Sequence, residues 1–248
     1  MRTKSGNAVI SSGGSPKRSP SLRSVAPDLW IAERPLKLPL ALGHLGSHMT
    51  VVRLANRELF LHSPVLLDAS IRAALDKLGR VQVIVAPSRA HHLFVGDYLK
   101  AYPDARLHGA PGLAKKRQDL KFDVTLGDQS PNAWSGQIEQ HLFRGAPFLN
   151  EVVFFHLATR TLIFADLVFN LTREGAAQAR VFNWLTGATG HLGPHRLIRR
   201  MISDHNAARA SVETILRWDF DRVIVGHGDL IEGDGRALVR AAFAYLWS

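Results

Sequence analysis

Residues 81–92 read Val81-Gln82-Val83-Ile84-Val85-Ala86-Pro87-Ser88-Arg89-Ala90-His91-His92. The first five make a short apolar run, the pattern of a strand buried on both faces. A polar stretch follows and ends in two histidines. The ends of buried strands are where loops present polar side chains to a cleft. The same arrangement recurs in His62-Ser63-Pro64 after residues 58–61, in Asp166 after residues 161–165, and in His227 after residues 222–225. A lone histidine is usually a packed or solvated side chain. Repetition of the pattern at strand ends is what points to a shared site.

Working outward, residues 29–32, 49–54 and 58–62 read as an N-terminal meander with Ala55-Asn56-Arg57 as a tight turn. Residues 70–78 predict a helix with Ile71, Ala74 and Leu78 on one face. Residues 91–102 predict a helix beginning at the two histidines, followed by a strand at 105–108. Pro111 and the later Lys115, Lys116 and Arg117 suit the two ends of a short helix. In the second half, residues 151–156 and 161–165 read as a hairpin, and 172–202 as mostly helical with a glycine-rich break at 187–193. Ser203 is placed to cap a helix carrying Ala208, Val212, Ile215 and Leu216. Residues 222–225 read as a buried strand and 237–247 as a closing helix. Each half runs strands first and helices later, which fits an α/β fold of two mixed sheets packed face to face with helices outside, a four-layer αββα sandwich.

The chain has 248 residues and no cysteine, which excludes disulfides, thiolate ligands and a cysteine nucleophile. Any metal must be held by His, Asp or Glu. No apolar run has the length of a membrane span, so a cytoplasmic protein is expected. The formal net charge is +10, and half of that surplus comes from Arg2, Lys4, Lys17, Arg18 and Arg23, which face no acid in the first 25 residues. Residues 1–25, rich in Ser, Gly, Pro and Arg, predict a disordered basic tail before a domain at 26–248. Such acid-poor starts also occur in organellar transit peptides. No stripe of interleaved aromatic and basic residues is present, so a small-molecule substrate is expected rather than nucleic acid.

The order of elements resembles the metallo-β-lactamase superfamily, whose main motif is a strand followed by T-H-x-H-x-D-H. His92 matches the final histidine of that motif and His91 stands where the family has aspartate. Pro87 and Arg89 stand where it has its first two histidines. The next family ligand would fall near Pro147 in Gly145-Ala146-Pro147-Phe148-Leu149-Asn150-Glu151, where there is none. The bridging aspartate matches Asp166, and the last histidine matches His227. More narrowly, the chain is similar to an uncharacterised subfamily, a domain of unknown function found in bacteria and plants. The residues carrying this are His62-Ser63-Pro64, Ala86-Pro87-Ser88 with His91-His92, Tyr102-Pro103-Asp104-Ala105, Glu151-Val152-Val153-Phe154-Phe155-His156, Arg160-Thr161-Leu162 and Trp218-Asp219-Phe220-Asp221-Arg222. The likeness spans about residues 27–247 and brings no established activity with it.

The resemblance implies a metallo-β-lactamase-like sandwich that has lost one of two metal positions. The other would keep one divalent ion, Zn or Fe, on His91, His92, Asp166 and His227. A single-metal hydrolase acting on an ester, thioester, amide or phosphoester follows, with Arg89 steadying negative charge where the lost metal would have been. Glu151 is read either as a general base or replacement ligand, or as a surface or structural residue. His62 is a candidate support for the site or a core residue, and His156 a packing residue. His191 and His195 could reach over a cleft. His44 and His48 are either metal-lining or solvated. The alternative to an enzyme is a non-catalytic binding or regulatory module on the same fold; nuclease action ranks last because that branch keeps the full ligand set.

Overall fold

The computed structural model describes residues 21–37, 44–171 and 190–248. The first sheet has the order β1-β2-β3-β4-β5-β6-β7: β1 (Arg23–Ala26), β2 (Leu29–Lys37), β3 (His44–Arg53), β4 (Glu58–His62), β5 (Arg80–Ala86), β6 (Arg106–Gly109) and β7 (Val124–Thr125). β1 to β4 form an antiparallel meander; β4 to β7 pair in parallel. The second sheet runs β11-β10-β9-β8, made of β8 (Ile138–Leu142), β9 (Val152–His156), β10 (Thr161–Ile163) and β11 (Arg222–Ile224).

Alternate residues of these strands enter different cores, and that alternation defines the layers. Val52, Phe60, Val83 and Val85 meet Ile138, Phe154, Ile163 and Ile224 in one cluster, which lies between the sheets. Their neighbours Val51, Leu59, Leu61 and Ile84 face the other way, onto α1 (Ala69–Leu78) and α2 (Val95–Ala101). On the second sheet, Val153, Phe155, Leu162 and Val223 pack with helices His205–Ile215 and Gly235–Ala242. Three cores between four layers make an αββα sandwich with both faces of each sheet buried. Trp134 and Phe60, edge to face at 5.0 Å, fill the middle of the inter-sheet core. Among the described residues the other α-helices are α3 (Leu113–Lys116) and α4 (Arg196–Met201), which makes His205–Ile215 α5 and Gly235–Ala242 α6, and a 3₁₀ turn follows at Ala244–Trp247.

Several expectations are corrected. β1 begins at Arg23, inside the segment expected to be a tail. His48 belongs to β3 and is buried, not solvated in a loop. The helix expected from His91 begins only at Val95, because the Ser88 hydroxyl accepts the N–H groups of Ala90 and His91 and turns the chain before it can coil. Asp204, not Ser203, caps α5 through the Ala207 N–H. β8 escapes an apolar-pattern reading because two of its inward positions are Gln140 and His141. The first part of the helical segment expected at 172–202 lies outside the described residues.

Asp68 caps α1 by accepting from the N–H groups of Ser70 and Ile71, both at 2.9 Å, while Arg34 Nε donates to its other oxygen at 2.8 Å. Burial works to raise the Asp68 pKa, but Arg34, Ser70 and the Ile71 N–H outweigh it and hold it well below the usual range. Asp68→Ala should cost about 1 kcal/mol in urea unfolding at pH 7, the ordinary worth of an N-cap. Because the folded pKa is depressed, this contribution is complete above roughly pH 4, the unfolded value, and fades as pH falls toward the folded one. The gap between wild type and variant should therefore narrow at pH 3; a gap unchanged there would show that the ionised cap is not what stabilises α1.

Candidate metal centre

β4, β5, β10 and β11 end at the same pole of the sandwich, and the loops leaving them converge there. Among the described residues, one group of three offers ligand atoms close enough to share a metal ion: His91, Asp166 and His227. His91 Nε2 lies 2.9 Å from Asp166 Oδ1 and 3.1 Å from His227 Nε2, and His227 Nε2 lies 3.3 Å from the same carboxylate oxygen. Donors about 2.0–2.1 Å from a tetrahedral zinc sit roughly 3.3 Å apart, so these three atoms approximate one face of such a tetrahedron.

Each member is fixed from behind. His227 Nδ1–H donates to the Gly46 carbonyl at 2.7 Å, which leaves the Nε2 lone pair of the neutral ring facing the other two residues. Phe169 stacks on the same ring at 5.4 Å. A side chain at Gly226 would strike the Ala165 carbonyl and come within 3.0 Å of His91 Cε1; glycine there lets the β10 and β11 loops touch. His91 Nδ1 meets the Ser63 hydroxyl. Ser63 is buried with φ +57°, a left-handed conformation that serine rarely adopts, and its N–H donates to the Val85 carbonyl at 3.0 Å. Asp166 sits on a loop whose N–H groups at Ala165, Asp166 and Leu167 all donate to the buried Glu151 carboxylate, at 2.8, 2.7 and 2.9 Å. His48 joins β3 to the β11 loop: its N–H donates to the Gly226 carbonyl and its Nδ1–H to that of Val225, both at 2.9 Å.

The electrostatics favour a cation. Desolvation tends to lower the His91 pKa, but Asp166 and the charge of Glu151 outweigh it and raise the pKa. Burial would raise Asp166, yet the two imidazoles hold it far below the carboxylate range. Burial and Asp166 push Glu151 up to about 7 while its backbone donors pull the other way. Asp166 Oδ2 is buried and has no hydrogen-bond partner among the described residues, which leaves this second carboxylate oxygen free to take part in holding a cation. Donor set, spacing and orphaned oxygen all fit one divalent ion.

Of the four residues expected as ligands, the structure brings His91, Asp166 and His227 together and leaves His92 apart. His92 faces away: Arg117 Nη1 donates to its Nδ1 and to its carbonyl, both at 3.0 Å. Desolvation and the nearby Lys116 and Arg117 lower its pKa to about 4. His91, matched by sequence to an aspartate position, is the residue that enters the cluster. Arg89 Nη1 donates to the Pro147 carbonyl at 3.2 Å, and no hydrogen bond joins it to the cluster. Arg89 N–H also donates to the Leu149 carbonyl, and Val152 N–H to that of Pro87, both at 2.8 Å. The positions that would hold a second metal's ligands are thus fastened to one another. Glu151, read as a general base or replacement ligand or else as a structural residue, has both oxygens engaged by the backbone N–H groups of the Asp166 loop. His62 is buried at the end of β4 with its Nε2 unpartnered; desolvation and His91 lower its pKa to about 3. His195 caps α4 and lies against Phe169, whereas His156 lies at the far end of β9. Ser63 is the contributor to which sequence reasoning gave no role of its own, and His48, read as metal-lining or solvated, instead ties β3 to the β11 loop.

A family model described as Domain of unknown function (DUF4336) matches residues 44–183. The chain belongs to this family. The DUF4336 chain is similar in fold to solved metallo-β-lactamases. With DIM-1 metallo-β-lactamase it shares 16% identity at TM-score 0.62, over 91% of this chain and 96% of that one. With the metallo-β-lactamase from Pontibacter korlensis the values are 16% and 0.62, over 92% and 98%. With FIM-1 from Pseudomonas aeruginosa in its mono-zinc form they are 11% and 0.63, over 94% and 97%. At these identities the likeness establishes the αββα fold. No curated protein matches the chain. No described helix is long and apolar enough to cross a membrane.

Proposed function

We propose that this DUF4336 protein is a single-metal hydrolase for a small-molecule ester, thioester, amide or phosphoester, with His91, Asp166 and His227 as its metal ligands. The observation that carries this reading is the convergence of two imidazole nitrogens and a carboxylate oxygen at 2.9–3.3 Å, beside an orphaned Asp166 Oδ2. A divalent ion, Zn or Fe, would supply Lewis acidity and bring the proton of water into the neutral range. Three protein ligands, rather than four, leave room in a tetrahedral shell. The chain's own groups do the positioning: Gly46 and Phe169 orient His227, Ser63 orients His91, and Glu151 holds the Asp166 loop. Leu93 and Phe148 are exposed on the loops flanking His91 and offer an apolar rim to the non-reacting part of a substrate.

Elemental analysis of untagged protein tests the reading. One Zn or Fe per chain is expected, and folded protein that stays metal-free after adding either ion would defeat it. Ser63→Ala should weaken zinc binding ~10–100-fold, the usual cost of losing the partner that orients a ligand histidine. His92→Ala should leave zinc affinity within about twofold of wild type, less than 0.5 kcal/mol. A competition titration with a chromogenic chelator measures both; a large loss in His92→Ala would return it to the ligand set.

One observation favours the second reading, a non-catalytic module. The side chains of His91, Asp166 and His227 are only 8%, 11% and 4% exposed. An ion held there without substrate access would be structural. Metal-loaded protein inactive toward a panel of ester, thioester, amide and phosphoester substrates would select that reading.

A further inference from the structure

A cleft of about 800 Å³ opens at the pole opposite the metal centre. β4, β10 and β11 deliver Ser63, Asp166 and His227 from their C-terminal ends; the cleft lies where the same strands begin. It is lined by the β3–β4 turn, the β9–β10 turn, and the first residue of β11. Three guanidinium groups reach it, from Arg53, Arg57 and Arg222, against one lining carboxylate, Asp28. Asp28 is already taken by Arg53 at 2.7 Å. Arg57 has no acid partner among the described residues. Arg222 uses Nε on Glu232 at 3.0 Å and Nη1 on Thr159 and Thr161; its Nη2 makes no hydrogen bond there.

His156 supplies the second, independent observation. It is 5% exposed and lines the cleft. The Thr161 hydroxyl lies 2.8 Å from the Thr159 hydroxyl; when it donates there, the Thr159 hydroxyl donates in turn to His156 Nδ1 at 2.8 Å. The imidazole proton then sits on Nε2, which has no partner among the described residues. Desolvation keeps the ring neutral by lowering its pKa. An imidazole N–H facing the cleft without a protein acceptor, beside unengaged guanidinium N–H groups, is a set of donors suited to an anion. Leu54, Leu157 and Pro27 give the rest of the wall an apolar character.

We propose that this cleft is a second binding site, for a small amphipathic anion whose phosphate or carboxylate head is held by Arg57, Arg222 and His156 and whose apolar body lies on Leu157 and Pro27. The site is independent of the metal and of hydrolysis at the other pole.

The test is amide chemical-shift mapping of the full ¹⁵N-labelled chain titrated with n-hexyl phosphate, hexanoate and hexanol. One or both anions should shift residues 54–57 and 156–159 saturably, with a Kd below about 1 mM, and hexanol should bind at least roughly tenfold more weakly. The preferred anion identifies the head group. Arg57→Glu, at an exposed turn, should weaken the anion at least about tenfold, and His156→Phe should do so without changing the spectrum elsewhere. The proposal is overturned by no shifts at these residues up to about 10 mM of either anion, far above the affinity expected. Shifts confined to the metal-pole loops, equal binding of hexanol, or an Arg57→Glu variant that binds like wild type would overturn it as well.

Discussion

His227→Ala should bind zinc roughly a thousandfold more weakly than wild type, about 4 kcal/mol. The variant loses one of three donors, and the ring it removes is also the one best held. Gly46 fixes its tautomer at 2.7 Å and Phe169 its plane, so little ordering cost remains to be met when an ion binds. The two donors left, His91 Nε2 and Asp166 Oδ1, face each other at 2.9 Å and satisfy one another by sharing a proton. Asp166→Ala should lose as much, because two imidazole lone pairs 3.1 Å apart then lack their counter-charge. Chelator competition, with circular dichroism to confirm the fold, reads both variants. Zinc affinity in either folded variant within a factor of about ten of wild type, roughly 1.4 kcal/mol, would remove these residues from the ligand set.

Glu151→Ala should destabilise the metal-free protein by about 4 kcal/mol, since each buried donor left without an acceptor costs ~1–3 kcal/mol. Three are stranded at once, at Ala165, Asp166 and Leu167, and water entering the new cavity recovers part of the loss. Natural domains have only about 5–15 kcal/mol in hand, so the variant should unfold at much lower urea. Glu151→Gln retains one acceptor oxygen and should fall between, near 2 kcal/mol. Measuring without metal separates the loop-anchoring role from any loss of affinity. A Glu151→Ala variant as stable as wild type would show that the loop does not depend on this carboxylate.

The layers were legible because their cause is local. Val83-Ile84-Val85 and Phe154-Phe155 announce strands buried on both faces, and those strands fix the sandwich. The site was legible as a set of strand ends, since His91, Asp166 and His227 each follow a buried strand. Rotation was not legible. Adjacent His91 and His92 differ only in which way a turn points them, and that turn is set by Ser88 and by Arg117, which lies far along the chain. The roles of two polar residues inside the fold were left open for a related reason. His48 looks solvated beside Gly46 and Ser47 until the β11 loop is folded against it. Glu151 carries a charge that suggests chemistry, and only the three N–H groups converging on it reveal an anchor.

The cluster draws His91 from one half of the chain and Asp166 and His227 from the other, with contacts spanning 75 and 136 positions. The seven-stranded sheet is complete by Thr125. During synthesis, that sheet can therefore form while the centre it serves has one of its three donors. Under the proposed metal site, capture would have to wait for the last part of the chain to emerge, and the ion would act as a late clasp between the halves. A ribosome-bound chain halted before residue 227 should be folded in its first half and blind to zinc.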